Sequence, residues 1–436
     1  MQDLRKKTLV ESGKKASRKA RGSAAQTPNT SPGNSRPGSR PGSRPVSRYA
    51  SENDDTSDSE LDDVMTASTN SVSEIDTPES WEEKLRGRIA ELLAPGKRSG
   101  TSRTTVLGDY AHHLRYHPAD GVVSKSMASI LSSLVRSIRS ASSEEQILSM
   151  KALAVTTLTS PSDDVYETAF PVLKLVCEDS EEEAVKVQAL TTMGVVVVYG
   201  GGEEQDMDEF LEFLTYIAES DGHLIGAPDS GMVVTTAMKV WAFVATNLDN
   251  PSSHNDEALD AFVEQLESSD ANVRSCAGIN IALLFEVSRE LEEEGNGRSL
   301  NLSVDPKSLI KRMRELSKGS KSISKKGRTQ VRNDLASVIT SIELGKGPGW
   351  SATSRPVSNP HTGGSKEADL GDEVEELGYR EKLRINKDEI YVIESWATKV
   401  RIELLQDVLK GGFSTHFSGN EVVRETLGDL EPFQDY

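Results

Sequence analysis

The chain has 436 residues, a formal net charge of −19, 36% hydrophobic residues and 5% aromatic residues. That length admits several domains or one long repeat array, and so low an apolar content excludes a chain that is packed throughout. No apolar run approaches the ~18–20 residues that cross a bilayer, and the first residues lack the apolar stretch of a secretory signal; the expectation is a soluble protein of the cytoplasm, the nucleus or both, with no membrane contact.

Residues 1–80 read as a disordered, low-complexity tail. Residues 1–50 carry twelve basic and two acidic side chains, whereas residues 51–80 carry ten acidic and no basic ones. Lys14, Lys15, Arg18, Lys19 and Arg21 form a basic cluster suited to a nuclear address or to nucleic acid. The repeat SRPGSRPGSRPVSR (Ser35–Arg48) follows. Proline and glycine at that density prevent both a helix and a packed core. Ser39, Ser43 and Ser47 each sit three residues after an arginine, the spacing of basophilic kinase sites, and are phosphorylation candidates. Phosphorylation would add about −1.5 to −2 charges per site and cancel the local basic character.

Order is expected to begin near Trp81. Trp81, Leu85, Ile89 and Leu92 share one helical face, and Pro95–Gly96 end it. The apolar periodicity then predicts helices near 103–116, 124–139, 143–159, 163–178, 181–199, 206–220, 230–248, 255–268, 271–293, 305–318 and 329–343. No strand pattern stands out. Val195–Tyr199 is β-branched, but it continues the helical frame of Val185, Ala189 and Met193. Cys177 and Cys276 both fall inside apolar helical patterns and read as reduced core residues.

The most continuous apolar stretch is Asp270–Glu290, DANVRSCAGINIALLFEVSRE. Asp270 is placed to cap it. Ala277 and Gly278 allow a close helix approach, and charge returns at Glu286. Arg274 is the residue expected at its surface. Four segments align without gaps: Leu148–Thr159, Val185–Val196, Val233–Val244 and Val273–Leu284. Alanine recurs at Ala152, Ala189, Ala237 and Ala277, and the starts are 37–48 residues apart. That is the period of armadillo or HEAT units, each of which buries its apolar face against its neighbours. The expected fold is all-α: an armadillo/HEAT-like helical-repeat solenoid over residues 81–344.

Residues 345–378, rich in Gly, Ser and Pro, read as a flexible linker. Residues 379–436 read as a short C-terminal helical domain. Asp388–Lys410 is predicted helical, with Ile393, Trp396, Val400, Leu404 and Val408 on one face and Gly411–Gly412 as its stop. This piece is too small for its own core and must pack on the repeats, stay mobile or fold on a partner.

No catalytic constellation, cofactor motif or small-molecule site stands out. His112, His113 and His117 cluster, but no nearby cysteine supplies a further soft ligand, and no metal site is assigned. The stronger signal is basic. Lys311, Arg312, Arg314, Lys318, Lys321, Lys325, Lys326, Arg328 and Arg332 concentrate in an otherwise acidic chain. Such a group suits phosphate backbones, which bind by charge and carry little sequence information. Lys325, Lys326, Arg328 and Arg332 are the leading RNA or phosphate contacts. Lys399 and Arg401, from a second, weaker basic group, are further RNA or phosphate-binding candidates. No motif that reads a DNA sequence is present.

Three stretches carry a resemblance: VRSCAGINIALLFEVSRE, SKKGRTQVRNDLASVITSIE and DEIYVIESWATKVRIELLQDVLKGGFSTHF. Together with the order of low-complexity tail, helical repeats, basic helix, linker and short C-terminal piece, they resemble the interferon-related developmental regulator family over roughly residues 80–430. The resemblance implies an armadillo-like fold and no catalytic activity. It implies protein partners and a role in controlling gene expression, either by binding ribosomes through rRNA and ribosomal proteins or as a transcriptional co-regulator that recruits complexes through the repeat surface.

Overall fold

The computed structural model describes residues 78–94, 102–248, 255–294, 302, 304–318, 324–350, 381–387 and 389–433. The expected tail, its serines Ser39, Ser43 and Ser47, and most of the expected linker lie outside the described residues. All described residues belong to one compact unit.

The repeats form two layers of helices in a solenoid-like stack. The inner layer runs α2 (Arg103–Tyr116), α5 (Ser143–Thr159), α7 (Glu183–Tyr199), α9 (Gly231–Ala245), α11 (Ala271–Glu294) and α13 (Lys325–Leu344), each packed on the next. The outer layer runs α1 (Pro78–Leu93), α4 (Met127–Ser140), α6 (Asp164–Asp179), α8 (Glu204–Glu219), α10 (Asn255–Gln265) and α12 (Pro306–Ser317). A short α3 (Asp120–Val123) and a 3-10 turn (Ser124–Ser126) join α2 to α4. Every segment aligned by sequence is an inner helix, and Ala152, Ala189, Ala237 and Ala277 are all fully buried.

Local sequence explains the boundaries. Thr105 N–H donates to Ser102 Oγ, Glu145 N–H to Ser142 Oγ, Val233 N–H to Ser230 Oγ and Gly327 N–H to Ser324 Oγ, so serine caps four inner helices. Asp270 caps α11 as expected, accepting from Asn272 N–H at 2.7 Å and from Val273 N–H at 3.2 Å. Each such cap is worth about 1 kcal/mol. Gly345, in the left-handed region at φ 67°, ends α13. At the α11–α13 crossing, a Cβ on Gly278 would lie 2.9 Å from Leu335 Cδ2, so the small residue sets the helix separation.

Two of the four aligned inner helices share a polar device that the apolar pattern hides. Lys186 and Arg274 occupy the same position in their inner helices. Lys186 Nζ donates to the carbonyls of Cys177, Glu178 and Ile225, which pins the end of outer helix α6. Arg274 donates twice to the carbonyl of Ser268 beyond α10. Arg274 is therefore buried, correcting its expected surface role: a cation at this position satisfies helix-end carbonyls that have no partner within their own helix. Cys177 and Cys276 are free and buried, and burial pushes both thiols up to about 12.

The C-terminal piece departs from expectation in its secondary structure. It holds a small antiparallel sheet, ordered β1 (Lys382–Arg384), β2 (Ile390–Val392), β3 (Glu431–Pro432), with Leu383 opposite Tyr391 and Tyr391 opposite Pro432. The predicted helix over 388–410 accordingly starts later, as α14 (Trp396–Leu409). The ladder claims Ile390–Val392, and Ser395 then caps the helix by accepting from Thr398 N–H at 3.0 Å. Gly412 precedes α15 (Phe413–Gly419) and α16 (Glu421–Leu427). The piece packs along the inner layer: α14 on α9, α11 and α5, α15 on α2, and α16 on α5. Ile393, Trp396, Val400, Leu404 and Val408, expected on one face, are all buried there.

Candidate nucleic-acid interface

Helix α13 presents the basic residues. Its apolar side, Val331, Leu335, Val338 and Ile339, is buried. That burial fixes the rotation of the helix and leaves Lys325, Lys326, Arg328 and Arg332 exposed on its first turns. Sequence periodicity started the helix at 329; the Ser324 cap starts it at Lys325, so these cations sit on regular helix. The arrangement runs against helix preferences. Cations in a first turn oppose the macrodipole, at ~0.3–1 kcal/mol each. Arg328 and Arg332, four apart, add a like-charge pair costing ~0.2–0.5 kcal/mol. A polyanion at this end would relieve both terms.

Helix α12 contributes less than its sequence promised. Arg312 Nε pairs with Glu267 Oε1 at 2.9 Å, and Arg314 Nη2 pairs with Glu343 Oε1 at 2.5 Å. Lys311 and Lys318 are exposed. Lys321 lies outside the described residues.

Lys399 and Arg401 face inward, which corrects their expected role as phosphate contacts. Lys399 Nζ lies 2.6 Å from Glu381 Oε1 and 2.8 Å from Glu403 Oε1. Burial alone would lower its pKa, but the two carboxylates outweigh burial and hold the ammonium above its ordinary value. Arg401 donates to the carbonyl of Thr246 at the end of α9, to Thr246 Oγ1 at 3.1 Å and to the carbonyl of Thr426 at 3.0 Å. Lys399 fastens the C-terminal piece to itself, and Arg401 fastens it both to itself and to the repeats.

The same piece is held along a row of inner-helix ends. His416 Nε2 meets the Leu114 carbonyl at the end of α2 at 2.8 Å, and Asn420 Nδ2 donates to the Leu158 carbonyl at the end of α5 at 2.9 Å. The Tyr199 hydroxyl, at the end of α7, lies 2.8 Å from Thr426 Oγ1. At the other end, the Glu286 carboxylate on α11 accepts from Trp396 N–H at 2.9 Å and Ala397 N–H at 3.0 Å, capping α14 from a different helix. Trp396 Nε1 donates to Ser341 Oγ on α13 at 2.9 Å. Burial pushes the Glu286 carboxyl up to about 7, although the two N–H groups pull it down. Sequence reasoning missed Glu286, His416 and Asn420. The one available signal was Glu286, the first charge to interrupt the apolar run of α11.

The histidines pack against aromatic rings. His117 stacks on Trp81 with ring centroids 4.4 Å apart, and His112 lies 4.8 Å from Tyr116. Among the described residues no group of three or more His, Cys, Asp or Glu side chains is placed to hold a metal ion. No helix among them is long and apolar enough to cross a membrane.

Comparison with known proteins agrees with this architecture. The model of the interferon-related developmental regulator family matches residues 46–343. An uncharacterized protein of Schizosaccharomyces pombe is 23% identical over 364 residues, covering 80% of this chain and 75% of its own length. Interferon-related developmental regulator 2 of Mus musculus is 24% identical over 82% of this chain and 75% of its own length. Interferon-related developmental regulator 1 of Homo sapiens is 21% identical over 80% of this chain and 72% of its own length. The chain, a two-layered helical-repeat protein matched over most of its repeats, belongs to the interferon-related developmental regulator family.

Proposed function

We propose that this protein is a non-catalytic regulatory scaffold of gene expression that binds ribosomes, and that the start of α13 supplies its contact to rRNA phosphates. Family membership supports the regulatory role. The observation that carries the ribosomal reading is the exposed set Lys325, Lys326, Arg328 and Arg332, held on an anchored helix in a chain of net charge −19. Four cations at the end of a helix that disfavours them suit a partner rich in phosphate. Ribosomal proteins would make the remaining contacts through the repeat surface.

The test is ribosome pelleting at 50 and 200 mM salt with the wild-type chain and with the quadruple variant K325Q/K326Q/R328Q/R332Q. Four phosphate contacts give a log–log salt slope of about −3, so wild-type binding should weaken on the order of 100-fold over that range. The variant should bind weakly at 50 mM salt and show a flat slope. Unchanged binding by the variant would overturn the assignment of this face. Recovery of chromatin factors without ribosomal proteins from cell extract would overturn the ribosomal reading itself.

A further inference from the structure

The C-terminal piece is anchored at two ends by polar groups of opposite acid–base character. Near α2, the buried His416 ring lies between two partners: Nε2 meets the Leu114 carbonyl at 2.8 Å and Nδ1 meets Asn420 Nδ2 at 3.0 Å. A carbonyl can accept but not donate, so Nε2 carries the proton. An amide nitrogen donates, so Nδ1 must be the bare acceptor. Both positions are satisfied by the neutral imidazole alone. A second proton on Nδ1 would point at the Asn420 amide hydrogens. Turning the amide over is no remedy. Asn420 Nδ2 also donates to the Leu158 carbonyl at 2.9 Å, and Oδ1 accepts from Val422 N–H at 3.0 Å to cap α16. A flipped amide would oppose oxygen to oxygen at Leu158 and N–H to N–H at Val422.

We propose that the C-terminal piece is an acid-releasable strap: protonation of His416 frees α15 and α16 from the first two inner helices while the Glu286 end stays fastened. Helix α15 packs against α2, α14, the Lys410–Gly412 turn and α16. Those elements carry His112, His113, Arg115, Tyr116 and His117 in and after α2, together with Asp407, Lys410, Glu421, Arg424 and Glu425, the last five exposed. Of these, His117 bears on the ring and, as another imidazole, opposes its protonation. Burial is the larger effect in the same direction, outweighing the Leu114 carbonyl, so the folded state holds His416 below its ordinary pKa.

The sign follows. A base whose folded pKa is depressed contributes stability above its unfolded pKa, near 6.5, and loses it as pH falls below that value. Glu286 behaves oppositely: its raised folded pKa strengthens the other end as pH falls through about 7. Acid therefore peels the strap from α2 and α5 and leaves it hinged on α11. Peeling uncovers the inner-helix ends at Leu114 and Leu158 and the cleft lined by His112, Tyr116 and His117.

Hydrogen exchange of the full chain at pH 7.5 and 5.0, corrected for intrinsic rates, tests this. The opening constant of residues 413–427 should rise by up to about 30-fold, the factor by which a free imidazole is protonated at pH 5.0. Residues 396–409 should show no rise. The variant His416→Gln should lose the pH dependence of residues 413–427. Asn420→Asp loses the bond to the Leu158 carbonyl and so loosens residues 413–427 at both pH values, but the sign of its pH dependence should be inverted, since a carboxylate prefers the protonated ring. An opening constant that is independent of pH in the wild type would overturn the proposal. So would a full pH dependence retained by His416→Gln, or Asn420→Asp behaving as the wild type.

Discussion

Glu286 offers a direct test of how the repeats and the C-terminal piece are joined. Its carboxylate caps α14 across the interface and is nearly buried, with its pKa pushed up to about 7 from 4.5. An acid with a raised folded pKa binds more protons folded than unfolded, so its contribution falls as pH rises between those two values. At pH 5.0 about a quarter of that loss has occurred; at pH 8.0 nearly all has. The difference is about 2.5 kcal/mol, from ~1.4 kcal/mol per pKa unit. Glu286→Gln removes the titration while keeping the shape. Gln loses one acceptor and turns an amide toward one of the two N–H groups, a cost that does not change with pH. The test is urea denaturation of both proteins at pH 5.0, 6.0, 7.0 and 8.0, followed by tryptophan fluorescence. His416 is common to both and cancels in the difference. The wild type should lose about 2–3 kcal/mol relative to Glu286→Gln between pH 5.0 and 8.0. Parallel curves, or a wild type that gains with pH, would refute the claim that desolvation dominates at this cap.

Two further predictions probe other joints. A Cβ on Gly412 would fall on the Arg115 carbonyl oxygen, a backbone atom that cannot yield, so Gly412→Ala should cost on the order of 2–4 kcal/mol. Exchange protection should fall in residues 413–427 before the inner helices are affected, as mass spectrometry would show. Lys186→Met leaves the carbonyls of Cys177, Glu178 and Ile225 without their donor and should cost about 2–4 kcal/mol, read as a fall in the urea midpoint with its slope unchanged.

The helical repeats were legible because burial and sequence periodicity are two views of one constraint. Ala152, Ala189, Ala237 and Ala277 recur because each inner helix must approach its neighbour closely, and Gly194 and Gly278 mark approaches that leave no room for a Cβ. The basic face was legible only in part. Val331, Leu335 and Val338 fix which side of α13 is buried and so expose Arg332, whereas Lys325, Lys326 and Arg328 precede the helix that periodicity predicts and are set on it by the Ser324 cap. The β-ladder was not legible, since Ile390–Val392 is three residues long and its partners lie at Lys382–Arg384 and Glu431–Pro432. Isolated short strands carry too little alternation to separate from a helical face.

Charge by itself could not say which cations face solvent. Lys399 and Arg401 read in sequence as candidates beside Lys325 and Arg328, yet they answer Glu381, Glu403 and the Thr246 carbonyl. Glu381 and the Thr246 carbonyl are distant in sequence or hidden in the backbone, and Glu403, four residues on, reads in sequence as an ordinary solvated helix pair, so composition does not register that these cations are turned inward. Glu286, His416 and Asn420 escaped for the same reason: each satisfies a main-chain group of another helix, and main-chain groups are invisible in a sequence. The sequence by itself determined the repeat and its inner helices, because local periodicity dictates what must be buried. Tertiary structure alone decided that the C-terminal piece lies along the inner-helix ends, because that choice is made by unpaired carbonyl and N–H groups that exist only once the helices have formed.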